Sequence, residues 1–275
     1  MDFVTAHGAR IPAIGLGTYP MRGETCVAAV TAALGSGYRH IDTAAGYNNE
    51  AEVGEGVRAS GVPRDQIFIT TKIRPEDLAT GDMQRAVEQS LKALGIETAD
   101  LVLIHWPSRT IPAGQTVRTL NDVHRRGLAR HVGVSNFNVK LLEQAWAATE
   151  VPLACNQCEY HPYLEQEALL KACRARGMAF TAYAPVGQGQ ELHDPVVVGI
   201  AKSLGRTPAQ VVLRWLIQQP GVVAIPKSAN PDRIRENFDV FGFSLDDTQM
   251  SALAALARPD ARLIGSPVFD PDWEV

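Results

Sequence analysis

The chain has 275 residues, of which 45% are hydrophobic and 20% are charged. These values are typical of an ordinary globular protein and exclude an intrinsically disordered chain. The formal net charge of -4 provides no basic patch of the kind that binds nucleic acid or an anionic membrane. The sequence also lacks a signal peptide pattern and an apolar run of about 18 residues. We therefore expect a cytoplasmic protein that binds a small molecule.

The first residues predict a β-hairpin. Residues 3–5 and 10–12 are extended in character, and they flank His7-Gly8, which is a turn signal.

From residue 11 onward, short apolar segments alternate with amphipathic ones. This alternation predicts parallel strands joined by helices. The eight predicted strands are residues 14–17, 38–41, 67–72, 101–105, 131–134, 154–157, 179–183 and 222–225. The predicted helices between them are residues 24–34, 50–59, 83–94, 116–126, 139–148, 165–176 and 208–218.

Eight such units in about 250 residues are typical of a (β/α)8 TIM barrel, an α/β fold. We expect the N-terminal hairpin to cap the bottom of the barrel. The alternative is an open doubly wound sheet, but Gly15-Leu16-Gly17 lacks the third glycine of the dinucleotide-binding fingerprint. Because no linker marks a second domain, we expect residues 1–275 to form a single barrel domain.

Four cysteines are present, at Cys26, Cys155, Cys158 and Cys173. The Cys155-x-x-Cys158 spacing has no second cysteine or histidine pair that would complete a zinc site. We therefore expect no metal and interpret both cysteines as small buried residues in or just beyond a strand.

Polar residues stand at or just after the ends of three successive predicted strands. Asp42 and Tyr47 follow the second strand, Lys72 ends the third, and His105 ends the fourth. Each alone has a structural explanation, such as a loop cap or a hydrogen-bonded core residue. Together they indicate catalysis, because the carboxyl ends of barrel strands meet at one mouth.

The residue types suggest a tyrosine that acts as an acid. The unperturbed pKa of tyrosine, near ~10, is too high for neutral pH, and an adjacent ammonium lowers it. In this interpretation Tyr47 donates a proton, Lys72 lowers its pKa and Asp42 holds Lys72. His105 then orients a substrate carbonyl by hydrogen bonding to its oxygen, where negative charge develops as a hydride arrives.

The last predicted strand leads into a candidate phosphate site. Asn230 is a good N-cap and Pro231 suits the first helical position, so a helix is expected to begin there and to attract phosphate. Cations and a hydroxyl near that helix end suit a ribose 2'-phosphate and favour NADPH over NADH. The candidate cofactor residues in this segment are Lys227, Ser228, Arg233, Glu236 and Asn237.

Polar residues around the fifth and sixth strands fit the same cofactor. Ser135, Asn136 and Gln157 offer hydrogen-bond partners for a carboxamide. Tyr183, at the end of the seventh strand, offers an aromatic face on which a nicotinamide ring can stack.

Several of these segments together resemble the aldo-keto reductase family. The matching segments are residues 37–54 around Asp42, 69–72, 103–107, 132–137 and 225–237. The resemblance implies a (β/α)8 barrel that binds NADPH in extended form, before the substrate, with Gly17 and Thr18 among the cofactor contacts. It also implies a catalytic tetrad of Asp42, Tyr47, Lys72 and His105, and usually a monomer.

Within the family, the chain is similar to the bacterial 2,5-diketo-D-gluconate reductase group. The resemblance implies reduction of small aldehydes, methylglyoxal, keto esters and keto sugar acids such as 2,5-diketo-D-gluconate. Tyr19 stands where many members have tryptophan, and residues 108–115 are short where eukaryotic members carry a long specificity loop. Both departures imply an open pocket, lined by Tyr19 and Trp106 and closed by Trp273 if the tail does not pack on the barrel side.

Two other functions remain open at this point. One is a class I aldolase-type barrel in which Lys72 forms a Schiff base, a role that requires a lysine of lowered pKa. The other is a non-catalytic, NADPH-binding regulatory barrel, which needs the cofactor residues but not the acid.

Overall fold

The computed structural model describes residues 1–273. Their strands, numbered in chain order, are β1 Phe3–Ala6, β2 Ala9–Pro12, β3 Leu16–Gly17, β4 His40–Asp42, β5 Phe68–Ile73, β6 Ala99–Ile104, β7 Ala129–Ser135, β8 Leu153–Glu159, β9 Ala179–Tyr183 and β10 Val222–Ala224. The α-helices are α1 Gly23–Gly35, α2 Glu50–Ala59, α3 Asp82–Leu94, α4 Ala113–Arg125, α5 Val139–Ala148, α6 Glu167–Ala175, α7 Pro195–Leu204, α8 Pro208–Gln218, α9 Pro231–Phe238 and α10 Asp247–Ala254.

Strands β3 to β10 form one parallel sheet in which neighbours in sequence are neighbours in space. A parallel bridge between Ile14 and Ala224 joins the two edges. The Gly15 N–H donates to the Ala224 carbonyl at 2.9 Å, and the Ala224 N–H donates to the Ala13 carbonyl at 2.9 Å. The sheet is therefore closed, and the predicted (β/α)8 barrel is confirmed.

The predicted N-terminal hairpin is also confirmed. Strands β1 and β2 are antiparallel, and His7 and Gly8 form the turn, both with positive φ. Ala6, Ala9 and Ile11 pack in one buried cluster with residues near the amino ends of the barrel strands, such as Ala154 and Ala179. Burial of this apolar face holds the hairpin across the bottom of the barrel.

Side chains alternate between two cores along the barrel strands. On β6, Leu101 and Leu103 belong to the cluster inside the barrel, whereas Val102 and Ile104 pack with the surrounding helices. All six positions of β6 are buried. A parallel strand covered on both faces reads as a continuous apolar run, which is why the sequence predicts it well.

Two helices were not predicted, α7 and α10. Both begin with an aspartate that caps the first turn: Asp194 accepts from the Val196 N–H, and Asp246 accepts from the Gln249 N–H. Pro195 follows Asp194 at the first helical position, so an N-cap signal was present in the sequence. Within the described part of the chain, no helix is long and apolar enough to cross a membrane.

The packing of α2 against α3 generates a prediction about stability. A Cβ on Gly54 would overlap the backbone carbonyl of Leu94, which cannot move independently of its helix. We expect Gly54→Ala to lower the free energy of unfolding by on the order of 1–3 kcal/mol in chemical denaturation.

Gly199→Ala is the matched control, because it adds the same methyl group to helix α7 where, beyond the backbone of the helix itself and the two chain neighbours, no described atom lies within 4 Å. It is expected to raise the free energy of unfolding by about 0.5–1 kcal/mol, since alanine favours a helix over glycine. Equal effects of the two substitutions would contradict the packing argument.

Candidate active site

A cavity of about 740 Å³ opens at the carboxyl ends of the barrel strands. Asp42, Tyr47 and His105 line it together with residues from the loops that follow the other strands. The structure thus brings the predicted polar residues to one mouth, with Lys72 directly behind them.

The innermost feature is a buried ion pair between Lys72 and Asp42. Lys72 is fully buried, and its Nζ contacts Asp42 Oδ1 and donates to the Thr43 carbonyl at 2.9 Å. Burial by itself lowers the pKa of Lys72, but the charges of Asp42 and Tyr47 and the hydrogen bonds to both side chains together outweigh it, and the net direction is upward. The ammonium is therefore charged at neutral pH, held by a carboxylate as predicted.

The second oxygen of Asp42 is bound from the far side of the barrel. Gln157 Nε2 on β8 donates to Asp42 Oδ2 at 2.7 Å. Thr18 on the loop after β3 donates its hydroxyl to the Asp42 carbonyl at 2.9 Å. The carboxylate thus has partners on both oxygens, which fixes its orientation toward Lys72.

Tyr47 ends a short 3-10 turn, Ala45–Tyr47, and is followed by Asn48 in the left-handed conformation. Lys72 Nζ donates to the Tyr47 hydroxyl at 3.3 Å, so the hydroxyl hydrogen remains available to an acceptor in the cavity. The predicted net lowering of its pKa is not what the geometry gives. Burial raises the pKa of Tyr47 more than the charge of Lys72 lowers it, so the phenol is protonated at neutral pH.

His105 directly follows β6 and its ring lies edge-on to the ring of Tyr47, with centroids 5.5 Å apart. Burial, together with the charge of Lys72, lowers the pKa of His105 to about 3. The ring is therefore neutral at physiological pH and carries one N–H donor. Asn136 Nδ2 donates to the His105 carbonyl at 2.9 Å, which links the residue directly after β7 to the residue directly after β6.

The opposite wall of the cavity carries the predicted polar residues of β7 to β9. Ser135 Oγ donates to the Gln157 carbonyl at 2.7 Å, and the Tyr183 hydroxyl donates to Asn136 Oδ1 at 2.9 Å. Ser135, Asn136, Gln157 and Tyr183 all line the cavity. They form one network, which leaves a rigid polar wall rather than mobile side chains.

The predicted phosphate segment has the expected local structure. Asn230 caps α9 by accepting from the Asp232 and Arg233 N–H groups at 2.8 and 3.2 Å, with Pro231 at the first position. Lys227 lines the cavity, and Arg233 is exposed on the first turn of α9.

The other members of that segment have structural partners. Ser228 Oγ accepts from the Asn230 N–H at 3.1 Å. Glu236 Oε1 accepts from the Thr207 hydroxyl at 2.8 Å, and Asn237 is buried beside it on the same helix. The side chains of Lys227 and Arg233 are thus the freer part of the segment.

Gly17 and Thr18 lie at the cavity edge nearest this segment. A Cβ on Gly17 would lie 2.8 Å from the Ile225 carbonyl oxygen, so a side chain has no room there. Both residues line the cavity, as does Lys227.

Of the three predicted substrate residues, two lie at the mouth. Trp106 and Tyr19 line the cavity, and the exposed Tyr19 ring packs against that of Tyr47, with centroids 5.0 Å apart and planes inclined at 53°. Trp273 is placed elsewhere: its ring packs under the Arg262 guanidinium at 3.6 Å and against the core, on the barrel side.

Two segments that the sequence did not point to complete the cavity mouth. Residues 263–266, in the C-terminal tail, line one rim, and four of residues 184–188 line the other. We call them the tail rim and the β9 rim. Their sequences carry no periodic or motif signal, and the tail rim is held by Glu159, which is about a hundred positions away in the chain.

The four cysteines are buried as free thiols, and Cys155 and Cys158 both lie within β8. Burial raises the pKa of each of these two thiols to about 12, so neither is a reactive thiolate. Among the described residues, no group of three or more His, Cys, Asp or Glu side chains has the geometry of a metal site.

Comparisons with known proteins agree with this geometry. Residues 13–258 match the aldo/keto reductase family. The chain is 43% identical to morphine 6-dehydrogenase of Pseudomonas putida, over 96% of this chain and 95% of that protein. It is also 43% identical to 2,5-diketo-D-gluconic acid reductase B of Corynebacterium sp., over 89% of this chain and 88% of that protein.

Solved structures show the same similarity. A putative 2,5-diketo-D-gluconic acid reductase B superposes with a TM-score of 0.98 at 40% identity, over 100% of this chain and 98% of that one. An aldo-keto reductase of Bombyx mori in complex with NADP gives a TM-score of 0.85 at 34% identity, over 91% and 90% of the two chains. The resemblance found in the sequence is confirmed, and the chain belongs to the aldo/keto reductase family of oxidoreductases.

Proposed function

We propose that this protein reduces aldehyde and ketone carbonyls of small molecules to alcohols with NADPH, and that Tyr47 is the general acid. The observation that carries the proposal is the position of the Tyr47 hydroxyl. It lines the cavity beside a neutral His105 ring and accepts a hydrogen bond from the buried Lys72 ammonium. A protonated phenol so placed can give its proton to a carbonyl oxygen in the cavity.

Each polar residue then has one task. His105 hydrogen bonds to the carbonyl oxygen and orients it toward Tyr47. Lys72, 3.3 Å from the Tyr47 oxygen, stabilises the phenolate that remains after proton donation. Asp42 keeps Lys72 in place and charged. The raised pKa of Tyr47 is compatible with this role, because the acid must hold its proton until the substrate accepts it.

The residues present fit a nicotinamide cofactor. The Ser135, Asn136 and Gln157 wall offers hydrogen-bonding atoms for a carboxamide, and the missing side chain at Gly17 leaves space beside Ile225. Lys227 and Arg233 stand where a 2'-phosphate at the amino end of α9 would be bound. When bound, NADPH supplies the hydride.

The substrate class follows from the mouth of the cavity. Trp106 and the exposed Tyr19 give the opening an aromatic lining that suits varied carbonyl compounds. We propose small aldehydes, methylglyoxal, keto esters and keto sugar acids such as 2,5-diketo-D-gluconate. The names of the relatives, which include a diketogluconic acid reductase and a morphine dehydrogenase, support a permissive pocket.

The Schiff-base alternative loses its support in this geometry. A Schiff-base lysine must be neutral and open to substrate, whereas Lys72 is fully buried behind Asp42 with a raised pKa. The NADPH-binding regulatory barrel remains the alternative to be tested by turnover. The single domain over residues 1–275, the monomeric state and the cytoplasmic location stay predictions.

The role of Tyr47 is tested by Tyr47→Phe. We expect carbonyl reduction, followed as loss of NADPH absorbance with methylglyoxal, to fall by about 10²–10⁴-fold, because the proton donor is gone. NADPH affinity, measured by fluorescence titration, is expected to stay within about twofold. Tyr160→Phe, which removes a hydroxyl bonded to Gln219 outside the cavity, is the control and retains turnover. Full activity of Tyr47→Phe would remove the acid from the proposal.

The charge state of His105 can be measured directly. Because its pKa is lowered from 6.5 to about 3, the ring stays neutral until the pH falls well below the ordinary range. We expect its NMR ring signals, assigned with His105→Asn, to stay constant between pH ~8 and ~5, where free histidine titrates. An inflection in this range would show a charged ring and exclude neutral hydrogen bonding as its role.

The 2'-phosphate assignment is tested by Lys227→Gln and Arg233→Gln. Each is expected to weaken NADPH binding by about 10-fold or more, equivalent to ~1.5–3 kcal/mol, with little effect on NADH. Arg235→Gln is the matched control, because this arginine lies on the same helix but pairs with Asp232. An equal loss for NADPH and NADH would show that the phosphate is bound elsewhere.

A further inference from the structure

A second buried cluster of charged side chains lies outside the catalytic site. His161 Nε2 is 3.0 Å from Glu159 Oε1, and its Nδ1 contacts Glu191 Oε1. All three side chains are fully buried. Each ring nitrogen faces a carboxylate, an arrangement that favours a hydrogen on both nitrogens and therefore a cationic imidazole. We call Glu159, His161 and Glu191 the buried triad.

The charge state of the triad is consistent with its geometry. Burial by itself lowers the pKa of His161, but the two carboxylates outweigh it and raise the pKa to about 9. At neutral pH the triad therefore has an imidazolium between two carboxylates that would otherwise repel each other. Without the positive charge of His161, the cost of burying two carboxylates would be poorly compensated.

Glu159 binds the tail rim. Its carboxylate oxygens accept from the Leu263 N–H at 2.7 Å and the Ile264 N–H at 2.9 Å. The Arg262 guanidinium lies 4.0 Å from the same carboxylate. Because residues 263–266 line the cavity, a charged hydrogen-bond acceptor fixes the part of the tail that faces the substrate.

Glu191 lies directly beneath the β9 rim. Gly187 has φ +50°, and a Cβ there would lie 2.6 Å from the Glu191 carboxyl carbon. The same carboxylate accepts from the Tyr163 N–H at 3.3 Å. The loop after β9 thus closes over Glu191 only because residue 187 has no side chain.

We propose that Glu159, His161 and Glu191 are positioning residues that hold the two rims of the cavity at a fixed separation, and so determine the affinity for carbonyl substrates. The proposal rests on the proposed reductase function. Glu159 binds the tail rim through two backbone amides, Glu191 packs against Gly187 of the β9 rim, and His161 joins the two carboxylates. None of the three lines the cavity, so they act through residues 184–188 and 263–266 rather than on the reacting atoms.

The main test is Glu159→Gln, which keeps the shape of the side chain but removes the charge that the two tail amides and His161 bind. At saturating NADPH, we expect KM for methylglyoxal to rise at least about fivefold, with kcat within about twofold of the parent, because Tyr47 and His105 are untouched. An unchanged KM in the folded variant would overturn the proposal.

Asp100→Asn is the matched control for a buried carboxylate. Asp100 is 5% exposed, accepts from the Ile69 N–H at 2.9 Å and pairs with Arg64, but it lies near the amino ends of β5 and β6. Its loss is expected to lower stability without changing KM. An equal rise of KM in Asp100→Asn would assign the effect to general destabilisation and overturn the proposal.

Gly187→Ala provides an independent test that leaves the three triad residues unchanged. It can be used even if Glu159→Gln does not fold. It pushes a methyl group against the Glu191 carboxylate, so KM is expected to rise while kcat stays. Gly189→Ala is its control, because residue 189 also has positive φ, at +91°, but no described atom lies within 4 Å of its Cβ. The same KM in both variants would count against Glu191 as a rim anchor.

Hydrogen–deuterium exchange separates this proposal from the proposed function. We expect Glu159→Gln to increase deuterium uptake in peptides covering residues 184–188 and 262–266, with uptake in β6 unchanged, whether or not any carbonyl is turned over. Absence of turnover in the parent protein, with this exchange pattern present, would sink the reductase function but keep the triad as the anchor of both rims. Unchanged exchange at both rims would overturn the anchor role.

Discussion

The buried ammonium of Lys72 is the constraint on which the site depends. A lysine without solvent contact is tolerated only when a carboxylate and further acceptors surround it, and here Asp42 and the Thr43 carbonyl do so. Asp42 in turn is held by Gln157, which lies on β8 across the barrel from β4. The pair therefore forms only when the barrel is closed, and the position of Tyr47 against Lys72 is fixed by the whole fold.

A buried ion pair is poor evidence for stability, because desolvating both charges costs about as much as their attraction returns. The two ends of the barrel differ in which groups they bury. At the bottom, the hairpin buries Ala6, Ala9 and Ile11, and apolar contact holds it in place. At the top, polar groups are buried at the edge of a cavity, where their charges act on whatever enters it. Stability and chemistry are thus placed at opposite ends of the same strands.

The barrel and the tetrad could be predicted because their signals are local. A strand covered on both faces is an apolar run, as in β6, and a histidine directly after that run marks its carboxyl end. The β3 to β10 order then follows from chain order in a barrel, so local assignments were enough to place Asp42, Tyr47, Lys72 and His105 together.

Other features depend on contacts that no short segment shows. Glu159 binds the amides of Leu263 and Ile264, which are 104 and 105 positions away, and neither segment alone indicates the other. Trp273 packs on Arg262 rather than on the cavity, a choice that the sequence of the tail left open. The pKa of Tyr47 was predicted in the wrong direction because proximity to Lys72 is visible in the motif, whereas the extent of burial is not.

The candidate active site and the buried triad contain the same physical arrangement, for which we propose two different roles. In each, one buried cation lies between acidic partners: Lys72 between Asp42 and the Tyr47 hydroxyl, and His161 between Glu159 and Glu191. Where the acidic partner faces the cavity, the proposed role of the cation is to stabilise the phenolate formed during turnover. Where both partners face backbone segments, its proposed role is to hold those segments in place. A buried cation of this kind has no solvent to replace its protein partners. Only one arrangement of the surrounding loops therefore satisfies it.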